Sequence, residues 1–178
     1  MRMVLVNGQR GPVRRRGRGH TEGRRGGAAV DLAGLSRLAA CAARRLRMRA
    51  RGRIEITFLD DRRMRGLNRR FLGHDRVTDV LSFRYGARAG TQPHDPDVVG
   101  EILIAPNRAR IYAGRAGTPY RHELARYVVH GLLHWCGRRD GTARERAAMR
   151  RAEDRLLAAC YRTRRHVANS ELGIRNSE

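Results

Sequence analysis

The sequence predicts one domain that mixes helices and strands, of the α+β or α/β class. Segments with strand-like alternation and segments with the three-and-four spacing of a helix both occur, without a strict strand–helix–strand repeat. The 178 residues suit a single domain with its own core. With 40% apolar and 31% charged residues, the chain is expected neither to be a membrane protein nor to be disordered throughout.

The N-terminal half alternates predicted helices and strands. Asp31 is the expected N-cap of a first helix. The apolar positions of this helix are Leu32, Leu35, Ala39, Ala42 and Leu46. Residues 54–59 alternate and are rich in β-branched side chains, which predicts a strand. Asp60 then caps a second helix, and residues 77–83 and 98–104 predict two further strands, separated by a loop rich in glycine, proline and aspartate.

The C-terminal half is predicted to be helical. Pro106 and Pro119 each begin a helix, because proline is tolerated in a first turn. The second of these helices is expected to end at Gly137. Its buried stripe consists of Leu124, Tyr127, Val128 and Leu132. Thr142 and Glu145 form a capping box for a last helix.

The chain is strongly basic, and every basic residue is arginine. Its 39 arginines against 17 acidic residues give a net charge of +22. A coding bias explains arginine in place of lysine, whereas a polyanionic partner explains the shortage of acidic residues. Residues 8–29, rich in glycine and arginine, predict a mobile arm, and residues 161–178 predict a disordered tail. Residues 28–160 alone contain 27 arginines and 14 acidic residues, so the surplus also belongs to the folded part.

Cysteine usage and the lack of long apolar segments predict a cytoplasmic protein. Cys41, Cys136 and Cys160 are odd in number and form no C-x-x-C pair, so reduced thiols are expected. Cys136 is expected to be buried and inert. No segment reaches the apolar length of a signal peptide or a membrane span.

Two histidines and an aspartate suggest a metal site. His130 and His134 are four residues apart, which places both imidazoles on one face of the predicted helix. A turn at Gly137 would let Asp140 supply a third ligand. Three protein ligands with an open fourth position are typical of a catalytic site, where the metal can activate water. The metallopeptidase motif H-E-x-x-H requires a glutamate after the first histidine, but Gly131 stands there. This glycine would instead let a backbone or a bulky substrate approach the helix.

These residues resemble a known family. Residues 130–140, H-G-L-L-H-W-C-G-R-R-D, resemble the H-G-x-L-H-L-x-G-Y-D-H signature of the YbeY family, which comprises bacterial metal-dependent endoribonucleases that mature ribosomal RNA. Residues 67–83 are similar to the family's L-N-x-x-[YF]-R-x-x-D-x-x-T-[DN]-V-L-S-F pattern, and residues 100–102 to its G-[DE]-I strand. A weaker downstream pattern is matched by Met149, Glu153 and Leu156.

The resemblance implies an α+β fold with a small mixed sheet, surrounding helices and a metal site on a helix followed by a loop. The domain would span residues 1–160, with a first strand at 3–6 and the arm as an insertion. The implied metal ligands and catalytic residues are His130, His134 and Asp140, with zinc as the expected ion. Asp140 stands where most members have a histidine, so the ligand set here is two histidines and one carboxylate. Such a set also suits iron or another divalent metal.

The resemblance also implies cleavage of single-stranded RNA, at the 3′ end of 16S ribosomal RNA, with the small ribosomal subunit as partner. Leu72 stands where the family has an arginine, so Arg70 or Arg76 would make its phosphate contact. Arg138 and Arg139 replace the family's Tyr-Asp and are further candidates. With only 5% aromatic residues, phosphate contacts rather than base stacking are expected to supply most of the affinity.

Two other functions remain open at this point. A non-catalytic ribosome- or RNA-binding accessory factor with a structural metal is favoured by Leu72. A zincin-like metallopeptidase is disfavoured by Gly131. Asp79 and Ser82 are candidates for lining a substrate groove, whereas Glu101 is expected to be structural. The sequence gives no indication of the oligomeric state.

Overall fold

The structure, a computed structural model, describes residues 1–9, 30–85 and 95–161. Its elements, in chain order, are β1 (Arg2–Asn7), α1 (Leu32–Arg45), β2 (Arg53–Phe58), α2 (Asp61–Leu72), β3 (Val80–Arg84), β4 (Val98–Ile104), α3 (Pro106–Ala116), α4 (Tyr120–Trp135) and α5 (Ala143–Cys160). Of the predicted arm and tail, all but residues 8, 9 and 161 lie outside the described residues, so both remain predictions.

The four strands form one mixed sheet in the order β1-β2-β4-β3. β2 pairs in parallel with β1 on one side and with β4 on the other. β3 and β4 are antiparallel, with Ser82 opposite Ile102. This mixture of parallel and antiparallel pairing, with helices between the strands, confirms the α+β class. The strand at residues 3–6 is confirmed as part of β1.

One face of the sheet carries the main core. Ile54, Ile56 and Phe58 alternate along β2 and are fully buried, as expected when every second side chain points to the same face. They pack in one cluster with apolar residues of α1, α4 and α5. Burial of each such side chain contributes about 1.5–3 kcal/mol. Helix α4 lies within this cluster and buries most of its surface, so the core holds it in a defined position on the sheet.

A smaller cluster lies on the other face, under α2. Met64 of α2 is fully buried and packs with Leu81 of β3 and Leu103 of β4. These strand residues alternate with those that face the main core, such as Ile102 and Ile104. The sheet is therefore covered on both faces at the end where β3 and β4 pair.

The predicted helix starts are confirmed. Asp31 and Asp60 accept hydrogen bonds from Gly34 N and Arg63 N, both at 2.9 Å. Thr142 and Glu145 cap each other through side-chain and backbone bonds. These devices depend only on residues three apart in sequence, so they can be recognised without tertiary information.

The third strand is shorter at its start than predicted. It begins at Val80 rather than at residue 77, because Asp79 makes local hydrogen bonds instead of extended ones. Its Oδ1 accepts from Val80 N and from the Thr78 hydroxyl, both at 3.1 Å. Its carbonyl accepts from Ala105 N. The turn formed at Asp79 breaks the alternation on which the longer strand was based.

The expectation of reduced thiols is wrong for two of the three cysteines. Cys41 in α1 and Cys160 at the end of α5 form a disulfide with a Cα–Cα distance of 5.7 Å, although 119 residues separate them. The two helices lie side by side in the main core, and nothing in the local sequence signals that proximity. Cys136 is free and exposed, so the expectation of its burial is also wrong. In the described part of the chain, no helix has the length and apolar character needed to cross a membrane.

Candidate metal centre

Two imidazoles meet on one face of α4, as their spacing predicts. The Nε2 atoms of His130 and His134 are 2.9 Å apart, and the rings are nearly perpendicular. The side chains keep 16% and 27% of their surface exposed. Both therefore lie at the edge of the core, where they can be reached from solvent.

The chain after α4 brings Asp140 to the same point. Gly137 adopts a φ of 86°, in the left-handed region that glycine occupies without strain. This reverses the chain, and Asp140 Oδ2 lies 3.7 Å from the Nε2 atoms of both His130 and His134. Arg146 holds the returning loop by donating to the carbonyl oxygen of Gly141 at 2.8 Å. The three predicted ligands are thus brought together.

The donor set and its spacing fit a divalent metal ion. One ligand atom from each of the three residues lies within 4.8 Å of the others. Neighbouring ligands of a tetrahedral ion with bonds of about 2.0 Å are about 3.3 Å apart, close to the distances found here. Two imidazoles and a carboxylate form a known type of catalytic zinc ligand set and also suit iron.

The Nδ1 atoms of both histidines, which face away from the three clustered ligand atoms, each have a hydrogen-bond partner. His130 Nδ1 lies 2.8 Å from Glu153 Oε1, and His134 Nδ1 lies 2.8 Å from the carbonyl oxygen of Arg138. Because both partners are acceptors, each Nδ1 carries the proton and donates it. Each Nε2 is then left with a free lone pair, which is the form that a metal ion requires.

Glu153 belongs to a buried charge network. Arg126, one turn before His130, donates through Nη1 to Glu153 Oε2 at 2.9 Å and to Asp154 Oδ1 at 2.7 Å. Burial opposes ionisation of Glu153, but the hydrogen bonds from His130 and Arg126 lower its pKa below the usual value. Burial likewise opposes protonation of His130, and the hydrogen bond and charge of Glu153 outweigh it and raise the pKa of the imidazole. The network therefore keeps an anion beside His130.

This network is not predicted from the sequence, in which Glu153 matches only a weak pattern. A signal was present, because Arg126, His130 and His134 follow one another at intervals of four on the same face of α4. An arginine one turn before a ligand pair on a largely buried helix requires an acidic partner, and α5 supplies it.

Gly131 is required by packing. A Cβ atom at this position would overlap Ile102 Cγ2 and lie 3.2 Å from Val80 Cγ1. The close approach predicted at this glycine is therefore made by side chains of the sheet. Ser82 Oγ also donates to the Gly131 carbonyl at 3.1 Å, so Ser82 supports α4. A glutamate, which the metallopeptidase motif needs here, cannot fit without displacing the sheet.

A cavity of about 310 Å³ opens beside His130 and Asp140. The acids in its wall are Asp79, Glu123, Asp140 and Glu153, and the arginines are Arg126, Arg146 and Arg150. Burial raises the pKa of Glu123, although Arg126 and Arg150 act in the opposite direction. Formal charges nearly balance in this wall, so a bound divalent ion would make the cavity net positive.

The candidate RNA-binding arginines lie in different places. Arg76 is exposed and lines a second cavity next to the first. Arg138 and Arg139 are exposed in the loop between α4 and Asp140. Arg70 is exposed on α2, where its guanidinium lies over the Phe71 ring at 5.4 Å from its centroid. Leu72, 55% exposed, is on the surface, so an arginine at this position would be accommodated.

Of the other polar candidates, Asp79 lines the cavity at the metal centre. Glu101 accepts a hydrogen bond from the Tyr85 hydroxyl and does not line that cavity, in agreement with a structural role. The ligand group consists of His130, His134 and Asp140 and does not include Cys136.

Comparisons with known proteins place the chain in a family. A model of the family described as Endoribonuclease YbeY matches residues 32–161. The chain is 36% identical over 109 residues to the Endoribonuclease YbeY of Flavobacterium psychrophilum, covering 61% of this chain and 73% of that protein. It is 34% identical over 126 residues to the Endoribonuclease YbeY of a Porphyromonas gingivalis strain, covering 71% and 76%.

A solved structure supports the fold independently. The solution structure of TM1509 from Thermotoga maritima superposes with a TM-score of 0.50, at 19% sequence identity, over 88% of this chain and 90% of that one. At this identity the similarity concerns the fold alone. The family match, which spans the metal centre and the elements that support it, confirms the resemblance found in the two sequence motifs. The chain belongs to the Endoribonuclease YbeY family.

Proposed function

We propose that this protein is a metal-dependent endoribonuclease that hydrolyses phosphodiester bonds of single-stranded RNA. The observation that carries the proposal is the convergence of His130, His134 and Asp140 beside an open cavity, in a chain of this family. Its proposed substrate is the 3′ end of 16S ribosomal RNA, on the small ribosomal subunit in the cytoplasm, in ribosomal RNA maturation and ribosome quality control. The proposed ion is Zn²⁺.

The three proposed ligands would hold the ion through two Nε2 atoms and one carboxylate oxygen. A divalent ion at such a site polarises a phosphoryl oxygen and lowers the pKa of bound water. The protein's own contribution is orientation. Glu153 and the Arg138 carbonyl keep both imidazoles in the ligating tautomer, and partners of this type are worth about 10- to 100-fold in metal affinity.

The cavity wall supplies the charges that a phosphodiester needs. Arg146 and Arg150 line the cavity and can neutralise the negative charge that develops at the phosphate. The arrangement does not favour peptide hydrolysis, because Gly131 occupies the position of the peptidase base and packing forbids a larger residue.

Metal content and cleavage, measured on the same preparations, test the proposal. We expect the purified protein to contain about one metal ion per chain, identified as zinc by mass spectrometry, and to cut single-stranded RNA but not peptides. His130→Ala and His134→Ala should each lose most of the metal and the cleavage. Asp154→Asn, on the same helix as Glu153 but half-exposed, is the matched control and should retain both.

Three outcomes separate the alternatives. Metal loss on mutation together with RNA binding but no cleavage under any divalent ion would support the accessory factor. Cleavage of peptides would support the metallopeptidase. Full metal retention in both histidine variants would refute the ligand assignment.

A further inference from the structure

A basic groove adjoins the metal cavity along α3. This second cavity, of about 400 Å³, shares Asp79, Tyr112 and Tyr127 with the wall of the first. Its remaining wall includes three arginines, Arg76, Arg108 and Arg115. We call this cavity the α3 groove. Because the two cavities share three residues, a ligand that extends beyond the metal centre can pass directly into the groove.

The arginines of the α3 groove are not neutralised by neighbouring acids. Arg76, Arg108 and Arg115 form no salt bridge with any residue in the described part of the chain. By contrast, Arg65 and Asp75 close by on α2 and its loop are paired at 2.6 Å. The acid in the groove wall, Asp79, uses Oδ1 for local hydrogen bonds. Three cations against one acid leave the groove positive.

The same face of α3 also presents an aromatic ring. Arg108, Tyr112 and Arg115 are spaced by four and three residues, so they share one face. The opposite face is anchored by Ala109 and Ala113, which are buried. Tyr112, which lies between the two arginines on this face, is 50% exposed, so its ring can be contacted from solvent. Basic side chains beside an exposed aromatic ring are one arrangement with which proteins bind single-stranded nucleic acid.

The length of this face fits several nucleotides. Seven residues separate Arg108 from Arg115, which is about 10 Å along a helix axis. A stacked strand rises about 3.4 Å per nucleotide, so about three nucleotides span the two arginines.

The metal cavity carries only a small net charge, because its acids and arginines nearly balance and a bound divalent ion would bring the sum to about +1. Most of the attraction for a polyanion is therefore expected from cations outside this cavity. We propose that the α3 groove binds the RNA strand next to the cleaved bond, with phosphates on Arg76, Arg108 and Arg115 and a base stacked on Tyr112. The inference rests on the proposed RNA cleavage and adds Arg108, Tyr112 and Arg115 as substrate-binding residues.

Salt-dependent binding tests the phosphate contacts. Affinity is measured by the fluorescence anisotropy of a labelled single-stranded RNA oligonucleotide, read immediately after it is mixed with the metal-loaded protein. A gel of the same sample measures cleavage. In the double variant Arg108→Gln/Arg115→Gln, the slope of log K against log salt should become shallower by about 1.4, for two lost phosphates. The control Arg62→Gln/Arg155→Gln removes the same charge from exposed sites outside both cavities and should keep the slope.

Tyr112 variants test the stacked base. Tyr112→Ala should weaken binding about 5- to 150-fold without changing the salt slope, because stacking involves no phosphate. Tyr112→Phe keeps the ring and should bind like the original protein. Metal content and melting temperature, measured for every variant, exclude unfolding as the cause.

The outcomes distinguish this inference from the proposed function. One outcome is that the groove variants bind RNA with the same affinity and the same slope of log K against log salt as the control pair, while the original protein cleaves RNA. In that case RNA binding by the α3 groove is refuted and the proposed function stands. If the original protein neither binds nor cleaves RNA, both fail.

Discussion

Replacing Glu153 by glutamine tests the buried charge network through both metal affinity and stability. The amide oxygen can still accept the Nδ1–H of His130, but the amide nitrogen then faces the Arg126 guanidinium, and the negative charge is lost. Loss of such an outer partner costs about 10- to 100-fold in metal affinity, or about 1.4–2.7 kcal/mol.

The stability of the metal-free protein should fall as well. Arg126 and Glu153 keep only 9% and 7% of their side-chain surface exposed, and breaking such a pair from one side costs about 3–5 kcal/mol. Because Arg126 retains its bond to Asp154, we expect the lower end, about 3 kcal/mol. Asp154→Asn removes the half-exposed partner of the same arginine and should cost less than about 1 kcal/mol.

Zinc competition with a chromophoric chelator gives the affinity, and urea unfolding of the metal-free protein gives the stability. Zinc affinity in Glu153→Gln equal to that of the original protein would exclude a role for Glu153 in metal binding. A loss of stability in Asp154→Asn as large as that in Glu153→Gln would show that the buried partner of Arg126 has no special role.

Four further predictions concern single positions. Asp140→His should keep or increase zinc affinity in the chelator competition, whereas Asp140→Asn should weaken it, since the amide coordinates without charge; equal effects would exclude this ligand. Leu72→Arg should raise the rate of RNA cleavage mainly through kcat, because a cation at the phosphate stabilises developing charge; an unchanged kcat would argue against a role for this position. Cys41→Ser should lower the free energy of unfolding by about 2–4 kcal/mol under oxidising conditions and should have little effect when reductant is present. If the variant and the original protein have equal urea midpoints under oxidising conditions, the disulfide does not contribute. Burial raises the pKa of Tyr127 in the folded protein. The stability that the neutral tyrosine contributes is therefore fully present below about pH 10, the ordinary tyrosine pKa, and is lost as the pH rises towards the pKa of the folded state. Urea midpoints should fall above about pH 10, and less steeply in Tyr127→Phe.

The features that the sequence predicted well depend on neighbours along the chain. The caps at Asp31 and Asp60 and the His130–His134 pair require residues only three or four apart. Asp140 could also be predicted, because a glycine turn after a helix brings the following residues back towards it. Strand β3 was also predicted, and it pairs with β4, the next strand in sequence. Its first residue differs from the prediction, because Asp79 forms local hydrogen bonds.

The features that could not be predicted depend on which helices become neighbours. The Cys41–Cys160 disulfide and the Arg126–Glu153 pair both join helices that are distant in sequence and adjacent in the core. Neither pair has a spacing rule, because the separation is set by the loops between them. The α3 groove could not be predicted for the same reason. Arg76 precedes β3, whereas Arg108 and Arg115 lie on α3, and only the fold brings them into one cavity wall.

The aspartate at position 140 changes the electrostatics of the whole site. With all groups ionised, the cavity wall carries four carboxylates and three guanidiniums, so a divalent ion brings the formal charge to about +1. A histidine at position 140 would leave about +2, and the approach of a phosphate would then be more favourable. A site with this weaker attraction depends more on cations placed outside the metal cavity. The arginines of the α3 groove, which form no salt bridge within the described residues, would provide them, and an RNA strand bound there as proposed would reach the metal centre without any large positive charge at the ion itself.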